Sequence, residues 1–177
     1  MRSMFECIKE KYGDTEIVGV EVGVWRGDNA QEVLSGLPNI KRLYLVDNEE
    51  LEKGSLWVTI DKLNGHNGSV KVINKSSVEA AKEVPDKSLD FVYIDADHSK
   101  ESVKEDIKAW FPKVKPDGVL GGHDYNKIEF GVFSAVNEFV KKRNFNLNAD
   151  CPEDKLGYDG IRSDWWIKLS ENGHGVH

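Results

Sequence analysis

The sequence predicts an α/β fold: a doubly wound, mostly parallel sheet of seven strands with helices packed on both faces. Short β-branched and apolar runs alternate with stretches of helical spacing along most of the 177 residues. Units of that kind pair their strands in parallel through right-handed crossovers. The last two apolar runs, over 144–148 and 165–169, have no convincing helix between them. The final strand pair is therefore expected to close as a hairpin, which brings one antiparallel strand into the sheet.

A short amphipathic helix over residues 3–11 opens the chain, inside an N-terminal segment of 1–12. Ile17–Val22 is the first strand, and it breaks into a glycine-punctuated turn. The next helix covers 29–37, with Asp28 or Asn29 as its N-cap. Strand two, 42–46, closes on Asp47, and a helix over 49–64 is interrupted by Gly54. Val70–Asn74 is strand three, followed by a helix over 78–84 that Ser76 or Ser77 would cap. Leu89–Ile94 is strand four, closing on Asp95. Residues 100–114 carry Val103, Ile107, Trp110 and Phe111 at helical spacing. Pro116-Asp117-Gly118 reads as a turn, since proline presets the backbone and glycine accepts a positive φ. Strand five, 119–122, closes on His123 and Asp124, and a helix over 133–142 follows. The whole of 1–177 reads as one domain with a disordered tail at about 172–177.

Composition narrows the function. Hydrophobic residues at 39% and charged residues at 31% describe a globular chain. The formal net charge of -7 argues against a nucleic-acid partner, which would call for a basic stripe. No apolar run approaches the ~20 residues needed to span a bilayer, so no membrane partner is expected. Cys7 and Cys151 have no paired spacing, which supports neither a disulfide scaffold nor a thiolate zinc site and fits a cytoplasmic protein.

Chemistry gathers where the strands end. Glu21 and Gly23, Asp47, Asp95 with Asp97 and His98, and His123 with Asp124 follow four of the first five strands. The carboxyl ends of the strands form the ligand crevice of an open α/β sheet. An acidic crevice repels phosphates and suits a sulfonium, an ammonium or a metal ion. The first turn agrees: Glu21-Val22-Gly23-Val24-Trp25-Arg26-Gly27 is not the Gly-x-Gly-x-x-Gly that cradles a pyrophosphate. Asp47 follows Gly27 by about 20 positions, where an acid is placed to bind ribose hydroxyls. Ser76 and Ser77 could reach an adenine edge or cap a helix; Trp25 could line the pocket. Asp95, His123 and Asp124 offer oxygen ligands and one imidazole to Mg2+ or Mn2+. Without a metal, His98 or His123 would act as general base.

Together with Leu45-Val46-Asp47, Asp90-Phe91-Val92-Tyr93-Ile94-Asp95-Ala96-Asp97-His98 and Lys115-Pro116-Asp117-Gly118-Val119-Leu120-Gly121-Gly122-His123-Asp124-Tyr125, these residues resemble a class I S-adenosylmethionine-dependent methyltransferase. More narrowly they are similar to the small-molecule O-methyltransferases with Ile-Asp-x-Asp-His and His-Asp-Tyr motifs. The resemblance implies that Gly23 and Gly27 border the methionine moiety, that Glu21 helps fix its amino end, and that Asp47 takes the ribose. Asp95 would lie near the transferred methyl, and Asp97 or His98 would remove the acceptor's proton. The implied acceptor is a sugar, polyketide or phenolic hydroxyl, and a homo-oligomer is left open. His123 stands where an acid is common in the metal-using relatives. The rival reading is a catalytically silent partner that binds the cofactor or a metal without turnover.

Overall fold

A computed structural model of the chain describes residues 1–49, 52–66, 68–127, 130–150 and 163–170. Its strands are β1 (Ile17–Val22), β2 (Ile40–Asp47), β3 (Val70–Asn74), β4 (Leu89–Ile94), β5 (Val114–Gly122), β6 (Asn148–Ala149) and β7 (Trp165–Lys168). Its helices are α1 (Ser3–Tyr12), α2 (Asp28–Gly36), α3 (Ser55–Lys62), α4 (Ser77–Ala81), α5 (Lys100–Trp110) and α6 (Phe130–Arg143). The seven strands form one sheet in the order β3-β2-β1-β4-β5-β7-β6. β1 through β5 pair in parallel, while β7 runs antiparallel to both β5 and β6. The expected architecture is the one observed; the expected disordered tail at about 172–177 lies outside the described residues.

Strand alternation splits the core into two layers. Val20, Val22, Val46, Val92 and Ile94 point to the face covered by Val103, Ile107 and Trp110 of α5 and by Val132, Ala135 and Val136 of α6. Ile17, Leu43, Leu45, Phe91 and Tyr93 point the other way, against Phe5 and Ile8 of α1 and Val33 and Leu34 of α2. Burying one such aliphatic side chain contributes about 1.5–3 kcal/mol. The order of strands reverses between β1 and β4, so the loops after these two strands diverge and leave a crevice between them.

Several local expectations are corrected. The N-cap of α2 is Gly27 at φ 73, not Asp28 or Asn29; Asn29 instead reaches back to Glu21. The helix expected over 49–64 starts only at Ser55, because Glu49 sits at φ 56 and Gly54 at φ 86. The Glu49 carboxylate accepts from Gly54 and Leu56 N–H and so organises the start of α3. Pro116-Asp117-Gly118 is not a turn ahead of a strand but an outward bulge within β5, where the register jumps from Leu89↔Val114 to Phe91↔Val119. Gly118 is needed there for space rather than for a positive φ: a Cβ would meet Val114 Cγ1 at 2.5 Å and Asp90 O at 2.9 Å. The bulge lets Lys115 Nζ reach Asp90 at 2.8 Å, while the other Asp90 oxygen accepts from Val18 N–H of β1. β6 is shorter than the expected 144–148, since Asn144 at φ 55 ends α6 and Phe145 N–H still bonds Val140 O.

Candidate active site at the carboxyl ends of the strands

The turn after β1 is shaped by close approach. Asp95 N–H donates to Val22 O at 2.7 Å, which draws the ends of β1 and β4 together. A Cβ on Gly23, at φ 85, would lie 2.1 Å from Asp95 O, so only glycine fits. Trp25 follows at φ 48, a left-handed conformation that costs a non-glycine residue about 1–2 kcal/mol. Asp47 offsets that cost: its Oδ2 accepts from Val24 N–H at 2.9 Å and Trp25 N–H at 2.8 Å. Its Oδ1 accepts from Glu49 N–H at 2.7 Å. The Trp25 indole donates to Glu52, which also grips Arg26 through two hydrogen bonds, and the Arg26 guanidinium lies 5.0 Å from the Trp25 ring centroid. Thr59 of α3 closes the arrangement by donating to Trp25 O.

Above this turn lies a cleft of about 1030 Å³ running along the carboxyl ends of β4, β1, β2 and β3. Asp95, Asp97 and His98 line one end, Gly23, Trp25 and Asp47 the middle, and Ser76, Ser77 and Asp106 the other. Most of the residues expected in the site therefore share one cavity. Gly27 does not line it; it opens α2 and packs on Thr59.

Glu21 does not line it either. The carboxyl is 2% exposed and faces α2, on the opposite side of the sheet from Val20 and Val22. Burial raises it to about 8, against the opposing hydrogen bond from Asn29. Its Oε2 and Asn29 Oδ1 are both buried without a partner, and protonating Glu21 supplies the hydrogen they can share. Glu21 is thus a neutral group beneath the turn at pH 7, not an anion in the cleft.

At the β3 end, Ser76 is the N-cap of α4 by position but makes no side-chain cap bond. Ser77 Oγ accepts from the buried Trp110 indole at 2.9 Å and hydrogen-bonds Asp106. Asp106 is 4% exposed, and burial pushes its carboxyl up to about 6. It was not legible as a site residue, because it stands among Lys104, Glu105 and Lys108 on what reads as a solvated helix face.

The β4–β5 end holds the titratable cluster. His98 Nε2 lies 3.1 Å from Asp124 Oδ2 and 3.9 Å from Asp95 Oδ1. His123 Nδ1 lies 3.2 Å from Asp124 Oδ1 and 3.8 Å from Asp95 Oδ1. Asp124, at φ 57, turns its carboxylate between the two imidazoles. Burial pushes its pKa up, but the hydrogen bond and charge of His123 and the charge of His98 outweigh that and leave it below the usual value. Asp97 stands apart from the cluster: its Oδ1 accepts from Ser99 N–H at 2.6 Å, which depresses its pKa and suits a turn residue ahead of α5 better than a base. Behind the cluster, Arg2 donates to Tyr93 Oη at 2.7 Å and Asp164 Oδ1 at 3.2 Å, and Tyr93 donates to the same oxygen. Asp164, which opens the Asp164-Trp165-Trp166-Ile167 segment, is fully buried.

One ligand atom each from Asp95, His98 and Asp124 lie within 4.8 Å of one another, so the group that could hold an ion has His98 where the sequence suggested His123.

A seven-stranded sheet in the order β3-β2-β1-β4-β5-β7-β6, with β7 alone antiparallel, is the Rossmann-like methyltransferase fold. A family profile described as a methyltransferase domain matches residues 20–125, and the chain belongs to that family. Its sheet and site both fall mostly within the matched span. An rRNA methylase from Streptococcus thermophilus superposes with a TM-score of 0.71 at 16% identity, covering 95% of each chain. A Streptococcus mutans protein solved in complex with SAH gives 0.71 at 17%, covering 94% of this chain and 96% of that one. A precorrin-6y C5,15-methyltransferase from Geobacter metallireducens gives 0.67 at 15%, covering 93% and 85%. An uncharacterized protein of Sinorhizobium fredii is 33% identical over 61 residues, which is 34% of this chain and 7% of that protein. The chain thus matches only a small part of that curated relative. No helix among the described residues is long and apolar enough to cross a membrane.

Proposed function

We propose that the chain transfers the methyl group of S-adenosylmethionine to a hydroxyl oxygen of a small molecule such as a sugar, polyketide or phenol. The observation that carries this reading is one cleft with two unlike ends: a backbone turn anchored by Asp47, and Asp95 with His98, which lie within 4 Å of Asp124 and His123 outside the cleft lining. SAH in the Streptococcus mutans neighbour supports the donor. The turn and Asp47 would hold the donor's methionine and ribose: Asp47 Oδ2 spends both lone pairs on Val24 and Trp25 N–H, while Oδ1 keeps one beyond its bond from Glu49 N–H. Asp95 would sit beside the sulfonium, where a carboxylate favours positive charge.

Methyl transfer is an in-line displacement: the acceptor oxygen forms a bond to the methyl carbon as the carbon–sulfur bond breaks, and the hydroxyl proton must leave. His98 is placed to take that proton, with Asp124 orienting the ring and stabilising the imidazolium. A divalent ion held by Asp95, His98 and Asp124 would supply a different route to the same end, acidifying the bound hydroxyl. The net charge of -7 favours a small acceptor over RNA.

Titration calorimetry with S-adenosylmethionine, followed by methyl-transfer assays on sugar, polyketide, phenolic and RNA acceptors, tests the reading. Saturable binding and transfer to one small-molecule class are expected. An absence of binding sinks the donor assignment. Binding without transfer to any acceptor, with or without Mn2+ or Mg2+, favours the silent partner.

A further inference from the structure

We propose that two copies of this chain pair through α3, laid antiparallel across a two-fold axis at Trp57. The apolar surface that the fold leaves outside is concentrated there. Trp57, Val58 and Ile60 of α3 are exposed, Trp57 by 75%, and Trp25 on the adjoining turn is half exposed. Among the other large apolar side chains described, only Val78 and Phe130 are comparably exposed, and they stand on other elements. The exposed face cannot turn inward. Ser55, Leu56 and Thr59 already form the buried side of α3, and Thr59 is fixed to Trp25 O and packed on Gly27. Contiguous exposed apolar surface marks an interaction site, and tryptophan is among the residues that dominate such contacts.

Charge says which partner fits. Other ions around α3 are taken within the chain: Arg26 by Glu52, and Lys62 by Asp28. Lys53, just before the helix, and Asp61, in its last turn, are exposed and make no ion pair among the described residues. Both carry the wrong sign for their places, since a helix N-terminus favours an anion and a C-terminus a cation. They stand equally far from Trp57 on either side. A two-fold axis at Trp57 therefore sets Lys53 against the partner's Asp61, and symmetry repeats the pair on the other side. Each helix end then lies beside the opposite end of its neighbour, which removes the mismatch with the dipole. An unrelated protein has no reason to match this spacing. An anionic lipid surface would be repelled by Asp61 and by the net charge of -7.

Sedimentation velocity of the full chain over about 1–100 µM, where ordinary protein pairs form, reads the association. Wild type should shift from monomer to dimer within that range. Trp57→Glu, which sets two like charges on the axis, should raise the dimer Kd about 100-fold. Asp61→Lys turns both ion pairs into repulsions and should raise it about tenfold; adding Lys53→Asp should restore it to within about threefold of wild type. All three positions are exposed, so the circular-dichroism melts of the variants should match that of wild type. If Trp57→Glu melts early, the charge swap decides alone. A wild type that stays monomeric across the series overturns the proposal, as does a dimer that neither Trp57→Glu nor Asp61→Lys weakens. A double variant no tighter than Asp61→Lys alone overturns the antiparallel register. A monomeric wild type that floats with phosphatidylserine vesicles also overturns the pairing and gives this face to lipid.

Discussion

At the β1–β2 end of the cleft the polar groups are committed to the backbone. Asp47 accepts three N–H groups from Val24, Trp25 and Glu49, and Glu52 fixes the side chains of Trp25 and Arg26. At the β4–β5 end, by contrast, Asp95 and Asp124 face His98 and His123, and the four groups look mainly to one another. One end is built to hold a shape; the other gathers two carboxylates and two imidazoles within 4 Å. A methyl transferase needs both, because displacement at carbon depends on positioning, whereas the acceptor's proton must go somewhere.

Variants at the two ends should therefore fail in different ways. His98→Ala or Asp124→Asn should lower kcat by about 10²–10⁴-fold, the usual contribution of a positioned base, with donor affinity unchanged. Asparagine tolerates the left-handed backbone at position 124, so Asp124→Asn keeps the fold. Steady-state kinetics beside calorimetry separates the two quantities; a parallel loss of donor binding would erase the distinction between the ends. Gly23→Ala should do the reverse. Its Cβ would collide with Asp95 O, so we expect a loss of about 3 kcal/mol in urea unfolding together with the loss of donor binding.

The pH dependence of stability sharpens the contrast from below the turn. Glu21 is raised from 4.5 to about 8 by burial, so the folded chain keeps a proton that the unfolded chain releases. Its stabilising effect is complete below pH 4.5 and is lost as pH rises toward 8. Glu21→Gln, which keeps an acceptor for Asn29 and adds a donor, should flatten that decline. Urea unfolding of both proteins at pH 5 and pH 8.5 should show a variant gain on the order of 4 kcal/mol at the higher pH relative to the lower. An equal difference at both values would mean that Glu21 does not titrate there.

The strands and the acids that close them were legible because a buried parallel strand is a continuous apolar run and its end is marked by the first polar residue. Ile17–Val22, Val70–Asn74 and Leu89–Ile94 were read to the residue for that reason. Helix starts were harder. Glycine marked the breaks at Gly27 and Gly54, but Glu49 adopts a positive φ to satisfy a tertiary turn, and no local pattern announces that. The same limit explains Glu21, whose spacing is that of a cleft residue although strand alternation turns it to the other face. Asp106 owes its importance to burial alone: in sequence it looks like an ordinary surface acid, since what buries it comes from elements far away along the chain.

The smallest expected effect concerns how α5 supports the β3 end of the cleft. The Trp110 indole is fully buried and gives its N–H to Ser77, which in turn bonds Asp106. Trp110→Phe keeps most of the apolar surface but leaves Ser77 Oγ without that donor. The loss of one neutral hydrogen bond should cost about 1 kcal/mol in urea unfolding, plus a small term for the space the second ring vacates. Turnover at saturating donor should be nearly unchanged, because the His98–Asp124 pair lies at the far end of the cleft. Donor KM should rise a few-fold as Ser77 and Asp106 lose their fixed orientation. A fall in kcat at constant KM would instead tie α5 to the transfer end and dissolve the division between the two halves of the site.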